Sequence, residues 1–208
     1  AGTTIIINAS VVTETGNIAV IADDSVTQST DVVLTTQGGD ISVDAGTTIT
    51  VEIGGAASSN GGDIVYTAVA DVIVGDVDAS GADSTSDGSI AIVSVTGNVT
   101  VSDLNADGIA LITNGTGEII VDAVQAIQVN ADVVAETGNI TITADQSIVQ
   151  GADVEVTTQG GDISVDAGTI ITIETGGGAS SNGGDISYMA EADVIVGDVD
   201  ASGADSTS

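Results

Sequence analysis

The sequence predicts an all-β fold: a parallel β-helix (β-solenoid) wound in coils of about 21–29 residues, five coils to each 122-residue repeat. Three observations predict it: a gapless internal repeat, a shorter rhythm of alternating apolar residues within that repeat, and a core composition restricted to slim β-branched side chains. Residues 1 to 86 lie over residues 123 to 208 without a gap, and about 62 of those 86 positions are identical. The chain therefore reads as one continuous segment, 1–208, with a first repeat at 1–122 and a partial second at 123–208, taken from something longer.

Within the repeat, a small or polar residue, often after Gly, precedes each alternating run. Asn17 stands before Ile18 and Val20, Asp40 before Ile41 and Val43, and Asp63 before Ile64 and Tyr66. Ser89 precedes Ile90 and Ile92, and Glu118 precedes Ile119 and Val121. These cuts give segments 17–39, 40–62, 63–88, 89–117 and 118–138. Alternation with period two marks a strand with one buried face. In the second copy it turns Ile140, Ile142, Ala144, Ile148, Val154 and Val156 inward and Thr141, Thr143 and Glu155 outward. Tyr66 and Tyr188 share the inward phase with Ile64 and Ile186, so they are expected to fill the core. Coils stacked at the roughly 4.8 Å spacing of paired strands place like residues on like.

The chain has no Phe, Trp, Pro or Cys, only three Leu, and 28 Gly. Val, Ile and Ala suit strands around a narrow dry column, and Gly suits many tight turns. A leucine-rich repeat shares the period but needs several Leu per unit. A pair of immunoglobulin-like domains would fit the length, yet leaves the short rhythm unexplained and lacks a large aromatic core.

Thirty-one Asp and Glu face no Lys, Arg or His, for a net charge of −31. That composition excludes nucleic-acid binding, Schiff-base chemistry and His-dependent triads. A hydrophobic content of 42 % separates the chain from a disordered acidic tail. No run of about 18 apolar residues is present to insert into a membrane as a helix. Stacked into a rod of about 41 Å, the chain carries about 0.75 negative charges per Å, against about 0.6 for duplex DNA. Such a rod gathers cations, and divalent ones relieve repulsion most.

Two stretches are candidate calcium loops. Asp76, Asp78, Ser80, Asp83 and Asp87 place oxygen ligands at positions 1, 3, 5, 8 and 12, with Gly81 at position 6. Asp103, Asn105 and Asp107, followed by Gly108, match the opening of the same loop. Calcium takes six to eight hard oxygens, alternate residues supply them, and Gly permits the bend. The first loop recurs at Asp198, Asp200, Ser202, Gly203 and Asp205. Aligning the two loops sets Asp76 on Asp103 and Asp78 on Asn105, which makes them stacked neighbours in a solenoid. The same strings also serve as plain turns, with Asp and Ser accepting backbone N–H groups. A further column, Asn17, Asp40, Asp63 and their copies Asn139, Asp162, Asp185, would repel at about 5 Å unless a cation or backbone N–H groups hold the charge.

Three features carry a family resemblance: Gly138-Asn139-Ile140-Thr141-Ile142-Thr143-Ala144, the GGDISVDAG stretch at 38–46 and 160–168, and the V-x-V-G-D-V-D-A-S-G-A-D stretch at 72–83. They resemble the β-strand repeats of filamentous-haemagglutinin-like proteins, very large bacterial surface and secreted adhesins. The resemblance implies a right-handed β-helical shaft, outside the cell or on its surface. The function expected is a structural one without catalysis: a segment of an extracellular fibre or adhesin stalk that binds cations and packs on itself, end to end or side by side. The alternative is a calcium-dependent passenger that binds glycans or cell surfaces. A polysaccharide-acting β-helix enzyme is the remote one, because an offset of 122 residues would duplicate any cleft and no basic residue is present to take a proton.

Overall fold

The computed structural model describes residues 2–82, 88–103, 109–113 and 115–202. Among them there is no helix, and every strand pairing is parallel. Each coil contributes one strand to each of three faces. The second coil, for example, runs through Val26–Gln28 on the first face, Val33–Thr35 on the second and Ile41–Ala45 on the third. Among the described residues the first and second faces are nine-stranded and the third is eight-stranded, and each strand pairs with the strands of the coils before and after it. The chain is a β-solenoid, as its periodicity predicts.

The third face carries the rhythm that set the coil boundaries. Ile18, Ile41, Ile64, Ile90, Ile119, Ile140, Ile163 and Ile186 stand in one register, rung upon rung. Beside this isoleucine ladder runs a column of Val43, Tyr66, Ile92, Val121, Ile142 and Val165. A third column is Ala, except for Ser94. All of the ladder from Ile18 to Ile163 is buried, and Ile186 packs against the core from the last coil. Ile148, Val154 and Val156 are buried on the other two faces, as their phase requires. Tyr66 is fully buried and Tyr188 packs against the same core. Ile and Val fill most of the core because each apolar side chain meets its counterparts one coil above and below, and a ring enters the column only at Tyr66 and Tyr188.

The corner between the second and third faces is built on glycine. A Cβ on Gly39 would collide with the carbonyl oxygen of Gly16, one on Gly62 with that of Gly39, and the same clash recurs at Gly88, Gly117, Gly138, Gly161 and Gly184. Backbones stacked this closely leave no room for any side chain. The glycine carbonyls are held by hydroxyls inside the corner: Thr36 Oγ1 donates to Gly39 O, Ser59 Oγ to Gly62 O, and Thr113 Oγ1 to Gly117 O at 2.9 Å. Those hydroxyl residues are themselves buried, so the bonds satisfy polar atoms that water does not reach.

Candidate functional site: the acidic loops and the carboxylate ladder

Loop residues 79–89 connect Val77–Asp78 on the second face to Ile90–Ser94 on the third, whereas residues 102–108 connect Val99–Val101 on the first face to Ile109–Ile112 on the second. Asp76, which opens the first candidate calcium loop, and Asp103, which opens the second, both lie at the first-to-second corner. Asp83, Asp87, Asn105, Asp107 and Asp205, with Gly108 and Gly203, lie outside the described residues.

The register bears on the expected stacking of the two loops at one point: Val77 pairs with Leu111 and Asp78 with Ile112, so the strand partner of Asp78 is an apolar residue of the second face. Two residues separate the first-face and second-face strands in the coil of Asp76, and seven separate them in the next coil. Register follows the buried residues, Ala57 then Val77 then Leu111, because burying them outweighs any match between exposed acidic side chains.

Asp76 is buried at the first-to-second corner with φ +52°, and its carbonyl accepts the N–H of Ala57 at 3.0 Å. Asp31 and Asp153 take the same left-handed conformation at that corner, φ +58° and +59°, each also two residues before a buried or half-buried strand position. Asp tolerates this region where bulkier residues do not. Asp78 Oδ1 accepts the N–H of Ser80 at 2.8 Å, closing an Asx turn. Asp200 repeats it, accepting the N–H of Ser202 at 2.9 Å and its hydroxyl at 2.5 Å. The Ser202 hydroxyl, then its N–H, hold the Asp200 carboxyl below the usual range. Asp103 is half-buried beside the first face, and Asp198 is exposed at the start of the last second-face strand. Among the described residues no three acidic side chains come close enough together to hold a metal ion.

The column of Asn and Asp at the second-to-third corner resolves into a ladder of hydrogen bonds. Asn17 Oδ1 accepts the N–H of Asp40 at 2.9 Å, Asp40 Oδ1 that of Asp63 at 3.1 Å, and Asp63 Oδ1 that of Ser89 at 2.9 Å. The second copy repeats it: Asn139 Oδ1 accepts from Asp162 N at 2.9 Å, and Asp162 Oδ1 from Asp185 N at 2.8 Å. Backbone N–H groups, one of the two ways the sequence left open for holding these charges, meet one oxygen of each of these side chains, and each N–H is offered by the next coil. At the third-to-first corner Asp71 Oδ1 does the same, accepting the N–H of Asn98 at 2.8 Å. Each bond ties two coils together, and those to Asp40, Asp63, Asp71 and Asp162 also shield a carboxylate.

Elsewhere, acidity and burial collide near the second face. Burial pushes the Glu155 carboxyl up, and the charges of Asp132 and Asp198 add to the effect. Asp132 Oδ1 accepts the N–H of Glu155 at 2.8 Å. Burial also pushes the Tyr188 hydroxyl up to about 12, with Glu155 contributing, and it raises Tyr66 further.

The sequence reading missed Gln28 and Gln150. Both are buried in an inward column, and Gln28 Nε2 donates to the carbonyls of Val32 at 2.6 Å and Ala56 at 2.8 Å. Gln150 Nε2 makes the same pair with Val154 and Gly178, at 2.6 and 2.7 Å. The signal was available: a polar residue in the inward phase, retained at an offset of 122. Compared with family models, curated proteins and solved structures, the chain matches none of them.

Proposed function

We propose that this chain is a structural segment of an extracellular or cell-surface fibre or adhesin stalk, acidic, cation-dependent and without catalytic activity, as its resemblance to filamentous-haemagglutinin-like repeats implies. One observation supports the proposal: all three faces continue through coil after coil and across the boundary between the repeats, with a register shift on the second face between Ile109 and Leu111, and that regularity serves length rather than a single asymmetric cleft. Every coil is tied to the next by backbone bonds on three faces and by side-chain ladders at the corners, so the shaft resists unravelling along its axis. Its charge of −31 recruits cations along the whole length. A glycan array probed with the chain, with and without calcium, tests the proposal. The expected result is no saturable binding in either condition and no cleavage of any glycan.

A second reading is a calcium-dependent glycan-binding passenger. What favours it is that the two coils that contain the acidic stretches are longer, Ile64 to Ile90 and Ile90 to Ile119, than the coils before and after them, Ile41 to Ile64 and Ile119 to Ile140. Saturable uptake of calcium by the chelator-stripped chain, measured by calorimetry, together with calcium-dependent binding on the array, would select this reading over the first.

A further inference from the structure

The carboxylates are unevenly distributed around the shaft. On the third face Asp44, Asp122 and Asp166 point outward from mid-strand, and the second face presents Asp78, Asp132, Glu155 and Asp200. The first face differs. Its central outward column runs in continuous register from Ile6 through Thr50, Ile73 and Thr100 to Ile195, built of Ile, Thr and Val with the single amide Gln128, and contains no acid. Acids reach this face only at its margins, as Asp71 and Asp193 on one side and Glu52 and Glu174 on the other. Ile6, Ile73 and Ile195 are exposed, and a groove of about 240 Å³ lies beside Ile73, bounded by Thr100, Ala126, Gln128 and Asn98 and, at its margin, by the carboxylate of Asp71.

We infer that two copies of this shaft associate side by side through their first faces, with the central columns interdigitating. The inference rests on the stalk reading and names the partner of that stalk. Two properties of the face select a second copy. A partner that fills the gaps between successive outward side chains must repeat at about 4.8 Å, and another copy of the chain does so along its whole length. A second body of charge −31 must also avoid setting carboxylate on carboxylate. At physiological salt, charges more than about 8 Å apart are screened, so acids on the far faces cease to matter and the uncharged strip is the side of closest approach. A strip of about 40 by 12 Å buries roughly 1,000 Å² in total, at the lower limit for a specific interface. The 208-residue chain should therefore pair weakly and in a salt-dependent manner, and pairing should tighten as the shaft lengthens.

Sedimentation velocity and small-angle scattering of the full chain, at low salt and at about 0.5 M NaCl, test this. At the higher salt the expected particle has doubled mass and cross-section at unchanged length. Thr27→Asp, Thr100→Asp and Thr172→Asp together should raise the dissociation constant at least about tenfold, because they bury carboxylates face to face. The third-face set Thr67→Asp, Thr143→Asp and Ser187→Asp should leave it unchanged, which controls for added charge and lost strand propensity. The chain lacks cysteine, so Thr100→Cys should give a disulfide-linked dimer on oxidation, whereas Thr143→Cys should not. A particle that stays monomeric, doubles only in length, or loses pairing through the third-face set overturns the inference. Binding of a neutral polysaccharide that the first-face set abolishes also overturns it and assigns the strip to a glycan. Failure of the stalk reading shows separately, as glycan binding or cleavage untouched by first-face substitutions.

Discussion

Gly62 is the second glycine of its corner pair and Gly160 the first of its own, and they have different tasks. A methyl on Gly62 would strike the carbonyl of Gly39, whereas around Gly160 nothing lies within 4 Å. Gly62→Ala is expected to cost about 3 kcal/mol in denaturant unfolding, and Gly160→Ala less than about 1 kcal/mol. The buried amides make a second residue-scale case. Gln28→Leu strips two buried carbonyls of their donor and should cost about 2 kcal/mol, as should Gln150→Leu. With the two sites five coils apart, the double variant should be additive within about 0.5 kcal/mol. The Gly rhythm was legible in the sequence as punctuation before each run. Its cause was not, since the clash is with a residue one coil away, at separations that vary from 21 to 29 residues.

At the scale of the element, the carboxylate ladder invites a test that separates hydrogen bonding from charge. Asp63→Asn keeps the oxygen that accepts the Ser89 N–H and removes one negative charge, so stability should hold or rise at low salt. Asp63→Ala loses the acceptor and should cost about 1 kcal/mol by the same denaturant titration. A cation bridge would make both substitutions destabilising. The inward column of the third face bears on alkaline stability. Tyr188 is raised to about 12 by burial, and Tyr66 is raised too, each above the ordinary phenol value of 10. A folded pKa above the unfolded one means a contribution that is complete below pH 10 and lost as pH climbs toward and through the folded value. Phenolate absorbance should therefore appear together with loss of β-sheet circular dichroism, and not before it. Strand phase, inward residues and the two tyrosines were legible because alternation is local. The loop register was not, because Asp78 lies against Ile112 through an insertion that resemblance between acidic strings conceals.

For the whole molecule, electrostatics without any cationic side chain has a single sign. Added salt should raise the thermal midpoint, and calcium or magnesium should raise it more than sodium at equal ionic strength, as followed by circular dichroism. Insensitivity to salt would mean that ladder hydrogen bonds alone absorb the repulsion. With that uniform sign, two shafts that pair side by side would meet at the acid-free central column of the first face.

By itself the sequence determined the fold class, the coil boundaries, the inward residues and the acidity, since these follow from composition and from periodicities of two residues and of one coil, which a linear string displays directly. Only the tertiary structure decided which residues meet between coils: glycine over glycine carbonyl, carboxylate on the next backbone N–H, Gln28 across a corner, and Asp78 against Ile112. The physical reason is that register is chosen by burial of the apolar columns. Every polar residue then takes the neighbour that choice assigns to it, at a sequence distance that insertions in the corners alter from coil to coil.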